Sequence, residues 1–565
     1  MQRSTMSALT ALIVFSAAIQ VFRLSVNLEI TSFTSRIDES KSESYVANDV
    51  LEAVLTDEPF QDAAALLRNR FRMLYRPDEN LDVLDKGYYY PSGVDPSAAT
   101  EEIARRFALS VAQERPFKIS FGGYSVTAGR GNYFREAYPQ VFSELFAGVA
   151  KEAGVELLFS NAAIGGVPSF PYGWCMENYY GRESDVISWE FTLNEGRQND
   201  LFEAFLRYST SLPRRPLVII SDGRYDVRGV QNRRKVLDHY SSIHADSFFI
   251  DARGAYMRFA GGTKEEYDEK DKKGWPEGFL NFHEFTTPPA APGKAPHHPG
   301  FQHHKLAAFL IAIRLLDGLQ FFVENRDRLM NDINKKREVK KKEDGIKLPD
   351  ATACSNLPIY YGCGDQNEVP THKCWTSYKP SLAEISLKQI VSEESLDPVS
   401  FDKTDLDDTY AAFLAASSNR FAAGWISTLM PKEMNAKRQV EIYQLGYIDS
   451  KELFLGSSSS GELKISVPVG DETNFIVVCE GSDGDVAING DEYCNLEKHA
   501  DFWLNDNKLK TEQISVGGNV DGIDPCIALD VGDISDLDEE NDSQLRILVV
   551  NENTICGIAQ IITFG

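Results

Sequence analysis

Positive charge is scarce in this chain of 565 residues. It carries 58 Lys and Arg against 84 Asp and Glu, a formal net charge of −26. Proteins bind polyanions through clustered Lys and Arg, so the composition excludes nucleic acid as a partner. Residues 351–565 alone hold 36 Asp and Glu against 14 Lys and Arg, and the rest of the chain is close to neutral. The length exceeds what one hydrophobic core organises, which predicts at least two domains.

Long apolar runs are scarce as well. The single long run, residues 6–22, lies between Arg3 and Arg23, so residues 1–23 have the layout of a signal peptide or an uncleaved signal anchor. No later run is long and apolar enough for a second span. We therefore expect a protein of the secretory pathway, either secreted or anchored by one span, that meets a membrane only through this segment if it stays uncleaved.

The eight cysteines do not have the spacing of a zinc site, because no close pair is matched by a second close pair or by nearby histidines. The sequence thus predicts no metal site. Entry into the secretory pathway permits disulfides instead. Sequence proximity favours pairing Cys479 with Cys494 and Cys526 with Cys556.

The pattern of apolar runs divides the rest of the chain. Residues 24–116 are mixed and partly helical, and residues 326–350 form a charged helix end and linker. Between them, in residues 117–325, strands alternate with amphipathic helices, which predicts a doubly wound α/β domain with a parallel sheet. Residues 351–565 show short strands between Gly, Asp and Asn turns, which predicts a β-rich, sandwich-like domain. The strands predicted for the parallel sheet are 117–121, 155–159, 186–191, 217–220 and 248–250.

A serine lies directly after the first of these strands, in the sequence Gly-Gly-Tyr-Ser-Val-Thr-Ala-Gly. Glycines allow the tight strand-to-helix turn that presents a hydroxyl nucleophile. Ser125 is therefore the candidate nucleophile. Ligands of such sheets bind at the carboxyl ends of the strands, so its partners should lie in the loops after the other strands.

Three further blocks carry groups that acyl transfer needs. Residues 160–166 follow the second strand and end in Gly-Gly, and residues 188–195 follow the third and contain Thr-Leu-Asn-Glu. Residues 297–304 precede the last helix and contain His-His-Pro. They offer backbone N–H groups, a side-chain amide and an imidazole.

In this order the blocks resemble those of the SGNH hydrolases, or GDSL-like esterases, over residues 117–325. Ser125 matches the nucleophile block, Gly166 the glycine block with Gly165 as the near alternative, Asn194 the Gly-x-Asn-Asp block and His298 the His-Pro block. Thr and Glu replace Gly and Asp around Asn194. The resemblance implies a flavodoxin-like sheet.

It also implies a mechanism without cofactor or metal. Ser125 would attack an ester carbonyl, His298 would accept its proton, and Ser125, Gly166 and Asn194 would form the oxyanion hole. Family members usually have Asp three residues before the catalytic His, where this chain has Ala295.

The imidazole then belongs either to a Ser/His dyad or to a triad completed by an acid from another loop. The acids that lie near predicted strand ends or in the loop before the histidine are Asp222, Asp251 and Glu284.

We therefore expect a serine esterase or O-acyltransferase whose substrate is an acyl ester, foremost of a carbohydrate. The alternative is a catalytically inactive, SGNH-like protein of the secretory pathway that binds glycans. A third hypothesis assigns calcium or partner binding to the acidic loops at 471–472, 483–485 and 533–540, although they lack the spacing of a calcium loop.

Overall fold

The structure of the protein is a computed structural model. The residues that it describes are 57–75, 87–130, 132, 134–195, 199–221, 227–252, 299–339, 347–358, 361–363, 368–379, 381–382, 386–396, 425–429, 450–469, 473–481, 492–514, 526–531, 543–551 and 554–564. Residues 1–23, with the predicted signal segment, lie outside these ranges.

Within the described ranges, six strands form the first sheet, in the order β1-β6-β5-β4-β2-β3. They are β1 (Tyr88–Tyr89), β2 (Phe117–Phe121), β3 (Leu157–Asn161), β4 (Val186–Trp189), β5 (Leu217–Ser221) and β6 (Phe248–Ile250). Strands β2 to β6 are parallel. Counted along the chain, these five have the order 2-1-3-4-5 of flavodoxin-like sheets, which confirms the predicted fold class.

Two details of this sheet differ from the sequence prediction. Strand β3 lies two residues further along the chain, because Ser160 and Asn161 still pair with Ser120 and Phe121 although they are polar. In addition, β1 pairs antiparallel with β6 at the edge of the sheet. A two-residue strand shows no periodicity in sequence, so the pattern did not predict it.

Helices cover both faces of the sheet. Those of the first part of the chain are α1 (Asp57–Tyr75), α2 (Pro96–Ala112), α3 (Ser125–Ala128), α4 (Tyr138–Glu152), α5 (Ser169–Tyr172), α6 (Met176–Tyr180), α7 (Thr192–Glu195), α8 (Asp200–Ser209), α9 (Val227–His239), α10 (Phe301–Glu324) and α11 (Arg326–Val339). The apolar side chains of α1, α2, α4 and α10 pack with alternate residues of β2, Phe117, Ile119 and Phe121, in one buried core. Trp189, Val218 and Phe249 belong to a second core with α6, α8 and α9.

Helix α10 is long and apolar enough to cross a membrane, and among the described residues it is the only helix that is. The expectation that no run after residue 23 is long and apolar enough for a span was therefore wrong. Its apolar stretch is 78% buried inside the protein. Leu306, Phe309, Leu316 and Phe322 lie in the core beside α1, α2 and α4. We therefore assign α10 as a core helix.

The described strands of the C-terminal part form a nine-stranded and a four-stranded sheet. They are β7 (His372–Thr376), β8 (Tyr378–Lys379), β9 (Ile426–Leu429), β10 (Ser450–Ser457), β11 (Leu463–Val467), β12 (Phe475–Glu480), β13 (Glu492–Tyr493), β14 (Ala500–Leu504), β15 (Asn507–Lys508), β16 (Lys510–Ile514), β17 (Cys526–Asp530), β18 (Ser543–Val549) and β19 (Thr554–Phe564), with the short helices α12 (Leu387–Ile390) and α13 (Leu496–His499). The pairs are antiparallel except β13 with β19. This confirms the β-rich prediction.

The larger sheet is buried on both faces. Ile476 and Val478 of β12 pack against the smaller sheet, as a sandwich requires. The residues between them and beyond, Val477 and Cys479, share the core of α6, α8 and α9. Alternate side chains of β12 point to opposite faces of the sheet. One face of the strand therefore packs against the smaller sheet and the other packs against the α/β part.

All eight cysteines form disulfides in the described ranges: Cys175–Cys374, Cys354–Cys363, Cys479–Cys526 and Cys494–Cys556. The predicted pairs Cys479–Cys494 and Cys526–Cys556 are wrong. The physical reason is strand register, since Cys479 on β12 lies directly opposite Cys526 on β17. Four disulfides are typical of extracellular and secretory-pathway proteins.

Two buried side chains of α8 hold the segment that leads to the β-rich part. Glu203 accepts hydrogen bonds from the main-chain N–H groups of Thr352 (2.9 Å), Ala353 and Cys354 (2.7 Å). Arg207 donates to the carbonyl of Pro349 at 2.7 Å and to that of Gly362. Because these polar groups are buried, we expect the protein to lose stability when either side chain loses its hydrogen-bond partners.

Replacing Glu203 with Ala leaves three main-chain donors without their acceptor. We expect the free energy of unfolding to fall by about 2 to 4 kcal/mol, since a buried donor left unpaired costs about 1 to 3 kcal/mol. Denaturant unfolding measures this change. The control is Glu152→Ala at the exposed end of α4, which should lie within about 0.5 kcal/mol of wild type; equal effects of the two variants would contradict the assignment.

Candidate active site

Ser125 begins helix α3 directly after the Gly-Gly-Tyr turn that ends β2, and it is 5% exposed. In the sheet, β2 lies between β3 and β4, the point at which the strand order reverses. Open α/β sheets bind their ligands in the crevice at this switch point, beyond the carboxyl ends of the strands. The fold thus places the candidate nucleophile where a ligand site is expected.

The two glycines before Ser125 are required by close packing. A Cβ atom on Gly122 would lie 2.2 Å from Oη of Tyr180, whose hydroxyl donates to the carbonyl of Ser188 at 2.6 Å. A Cβ atom on Gly123 would lie 2.2 Å from Oγ1 of Thr127. The turn can approach its neighbours only because these side chains are absent.

Main-chain hydrogen bonds join this turn to the loops after both neighbouring strands. The N–H of Ile164, in the loop after β3, donates to the carbonyl of Gly123 at 3.0 Å. The N–H of Tyr124 donates to the carbonyl of Glu190, in the loop after β4, also at 3.0 Å. Three of the four blocks recognised in sequence therefore meet at the turn that precedes Ser125.

A buried polar network lies beside α3, on the side of β4. Thr127 donates from Oγ1 to Oε2 of Glu190 at 3.1 Å. The hydroxyl of Tyr138 lies 3.0 Å from Thr127 Oγ1, and since the Thr proton is already donated, Tyr138 is the donor of this bond. Burial, followed by the charge of Glu190, raises the pKa of Tyr138. On the opposite side, Asn161 donates to the carbonyl of Thr127 at 3.0 Å.

The two expected oxyanion donors other than Ser125 lie in these same loops. Gly166 adopts a left-handed conformation (φ +79°) in the turn after β3. The main chain of Asn194 is part of α7, after β4. Glu195 connects the two loops, because its Oε1 accepts the N–H of Ser169 at 2.6 Å.

Glu195 is almost completely buried, and this burial raises the pKa of its carboxyl to about 7. The hydrogen bond from Ser169 and the positive charge of Arg233 act in the opposite direction. Near neutral pH the residue therefore exists in both protonation states.

His298, Asp222 and Glu284 lie outside the described residues, as do the acidic loops considered for calcium. Asp251 follows β6, and its main-chain N–H donates to the carbonyl of Gly87 at 2.8 Å. Two strands separate β6 from β2, a distance of about 14 Å across the sheet. The structure thus does not place Asp251 in a loop adjacent to Ser125.

The chain immediately after His298 does reach the nucleophile loop. Pro299 and Gly300 are buried, and Gly300 precedes the first turn of α10. Asn132, seven residues after Ser125, donates from Nδ2 to the carbonyl of Pro299 at 3.0 Å. The block of residues 297–304 therefore contacts the nucleophile loop through the carbonyl of Pro299.

Asn132, Thr127 and Glu190 were not among the predicted site residues. Thr127 and Glu190 stand inside the recognised blocks, yet nothing in their spacing shows that they bond to each other. Asn132 belongs to no motif, and its contact spans 167 positions.

No protein-family model and no curated protein matches the chain. Among solved structures, it is similar to a two-domain esterase (CEX) active on acetylated mannans, co-crystallised with mannopentaose. The TM-score is 0.40 at 13% identity, covering 85% of this chain and 98% of that one. Another structure of a two-domain esterase active on acetylated mannans has a TM-score of 0.37 at 13% identity, covering 81% and 95%. Similarity at this level carries no conclusion about activity.

Gly122→Ala tests the close packing behind Ser125. We expect it to lower the free energy of unfolding by about 1 to 3 kcal/mol, because the added methyl group overlaps the buried Tyr180 ring. The matched control is Gly148→Ala in α4, where an added Cβ has open space and Ala favours the helix by about 1 kcal/mol. Denaturant unfolding of both variants gives the comparison, and a harmless Gly122→Ala would contradict the packing described.

Glu195→Gln tests the buried carboxyl. The unfolded chain releases this proton near its ordinary pKa of 4.5 and the native chain only near 7, so stability is lost as pH rises between these values. Gln keeps an acceptor for Ser169 but does not titrate. The melting temperature of the variant relative to wild type should therefore increase from pH 4.5 to pH 8, whereas Glu152→Gln, at an exposed site, should show no such trend. Parallel curves for wild type and Glu195→Gln would contradict the raised pKa.

Proposed function

We propose that the protein is a serine esterase or O-acyltransferase that acts through a Ser125 acyl-enzyme, with an acyl ester of a carbohydrate as substrate. The observation that carries this proposal is that the loops after β3 and β4 bond to the turn that precedes Ser125, at the switch point of a flavodoxin-like sheet. The resemblance to SGNH hydrolases supports the assignment of roles. The choice of a carbohydrate ester as substrate rests on that resemblance and on the attached β-sandwich.

In the first step Ser125 Oγ forms a bond to the carbonyl carbon of the ester, and its proton passes to His298 Nε2. The carbonyl electrons move to the oxygen, which the N–H groups of Ser125 and Gly166 and the amide of Asn194 stabilise. Each such donor contributes about 2.7 to 4 kcal/mol to the transition state. When the intermediate collapses, the alcohol leaves with the proton from His298.

The second step decides between hydrolysis and transfer. Water or a second hydroxyl attacks the acyl group on Ser125 while His298 accepts its proton, and Ser125 is regenerated when the proton returns to it. Water releases a carboxylic acid, and a second alcohol gives a new ester. Both reactions use the same acyl-enzyme, so both agree with the site.

The test compares wild type with Ser125→Ala and His298→Ala on p-nitrophenyl acetate, with and without an added alcohol acceptor. We expect each variant to lose at least about 10²-fold in kcat, since nucleophile and base act as a unit. Ser209→Ala is the control, because Ser209 is also buried but lies on α8, where its Oγ donates to the carbonyl of Leu206 at 2.7 Å and lies 3.5 Å from Nε2 of His244.

A serine-directed fluorophosphonate should label wild type at Ser125 and spare the Ser125→Ala variant. A wild-type protein that shows neither turnover nor labelling contradicts the enzymatic proposal. That result would favour the alternative of an inactive protein that binds glycans through the same cleft.

A further inference from the structure

The helix that carries Ser125 is too short to be stable by itself. Helix α3 has four residues, Ser125–Ala128, and Tyr124 at its N-cap makes no side-chain capping hydrogen bond. Isolated helices shorter than about 12 to 15 residues are marginal in water, and most helical stability in proteins comes from tertiary contacts. The orientation of α3, and with it the direction of the Ser125 hydroxyl, must therefore be set by groups that bond to it from neighbouring loops.

Glu190 bonds to the chain on both sides of Ser125. Its main-chain carbonyl accepts the N–H of Tyr124, the residue before Ser125, at 3.0 Å. Oε2 of its side chain accepts from Oγ1 of Thr127, two residues after Ser125, at 3.1 Å. The two bonds start from one residue at the carboxyl end of β4 and hold the nucleophile between them. A tilt of α3 would have to break at least one of them.

The main chain of Thr127 is held from the end of the other neighbouring strand. Nδ2 of Asn161, the last residue of β3, donates to the carbonyl of Thr127 at 3.0 Å. The Asn161 amide is oriented in turn by the N–H of Ala163, which donates to Oδ1 at 3.2 Å. Strand β3 thus bonds to the main chain of Thr127 and β4 to its side chain. Helix α3 is fixed between the ends of the two strands that flank β2.

The carboxylate of Glu190 determines the direction of the hydrogen bonds in this network. An ionised carboxylate only accepts hydrogen bonds, so the Thr127 proton points to Glu190 and the Tyr138 hydroxyl, 3.0 Å away, donates to Thr127. All three residues are at most 1% exposed, so water does not compete for these groups. Hydrogen bonds to an ionised partner are about twice as strong as neutral ones. The bond from Thr127 to Glu190 is therefore both strong and directional.

We propose that Thr127 and Glu190 are positioning residues of the nucleophile, because their hydrogen bond fixes α3 so that Oγ of Ser125 faces the ester carbonyl. This rests on the proposed function. Both residues act through Ser125 and not on the substrate itself. A catalytic group displaced by about 1 Å can lower the rate about 10²-fold. The loss of this bond should lower kcat and leave KM nearly unchanged, since substrate binding does not use it.

Two substitutions of Thr127 separate its hydroxyl from its shape. Thr127→Ser keeps the donor, whereas Thr127→Val keeps the shape without the donor. We expect kcat on p-nitrophenyl acetate to fall at least about tenfold in Thr127→Val, with little change in KM, and to stay within about threefold of wild type in Thr127→Ser. The rate of fluorophosphonate labelling at Ser125 should fall in parallel with kcat, because it depends on the same hydroxyl.

Thr376→Val is the matched control. Thr376 lies in β7, is 1% exposed, and has its hydroxyl 3.0 Å from that of Tyr179, as Thr127 has with Tyr138. The substitution thus removes a buried hydroxyl of the same kind from the β-rich part of the chain. We expect it to lower the melting temperature and to leave kcat and the labelling rate as in wild type.

A double variant covers the case that Thr127→Val folds poorly. Removing the hydroxyl takes a donor from the buried carboxylate of Glu190, which destabilises the protein. Combining Thr127→Val with Glu190→Gln replaces this charge with a neutral amide of similar shape. We expect the melting temperature to recover towards that of wild type while kcat and the labelling rate stay low, since the bond that orients α3 is still absent. A merely structural role predicts that activity returns together with stability.

Wild-type kcat and labelling in Thr127→Val would overturn the proposal. An equal loss of kcat in Thr127→Ser or in Thr376→Val would overturn it too, as would activity that returns with stability in the double variant. A wild type that neither turns over ester nor labels at Ser125 would instead refute the proposed function, and this inference with it.

Discussion

The site depends on one constraint: the main chain at Gly122 and Gly123 must pass closer to its neighbours than any side chain permits. This approach lets Gly123 accept from Ile164 and lets Tyr124 donate to Glu190, each at 3.0 Å. The two bonds hold the Ser125 turn to the loops after β3 and β4, where the remaining groups for acyl transfer are expected. Because these bonds hold the backbone of the turn, the serine hydroxyl can be oriented before a substrate arrives.

Buried polar contacts stabilise the surroundings of this turn. Thr127 bonds to both Glu190 and Tyr138, and Tyr138 also donates its N–H to Nδ1 of His304 in the first turn of α10 at 3.2 Å. Helix α10 begins three residues after His298, so these contacts connect the nucleophile loop with the end of the histidine loop. Further out, the β-sandwich covers α6 and α8 with the second face of β12. The Glu203 and Arg207 contacts and the Cys175–Cys374 disulfide join the two parts of the chain.

Periodic apolar runs were sufficient to predict the five parallel strands and the β-rich second part. The order of the strands was predicted through the family resemblance. Features without a local pattern were missed. The β3 end at Ser160 and Asn161 is polar, and β1 has two residues, so neither shows a period. Disulfide partners follow strand register rather than nearness along the chain, which is why Cys479 pairs with Cys526. Asn132 and Pro299 are in contact although they are 167 positions apart in the sequence, and such a contact can be identified only from the structure.

The central claim is that Ser125 becomes acylated, and rapid-quench mass spectrometry of the purified protein with p-nitrophenyl acetate tests it most directly. After proteolysis, the account predicts one added acetyl group on the peptide that contains Ser125, formed within the first turnover and lost as the ester is consumed. An acetyl group on any other residue, or none on this peptide while nitrophenol is released, would contradict the account.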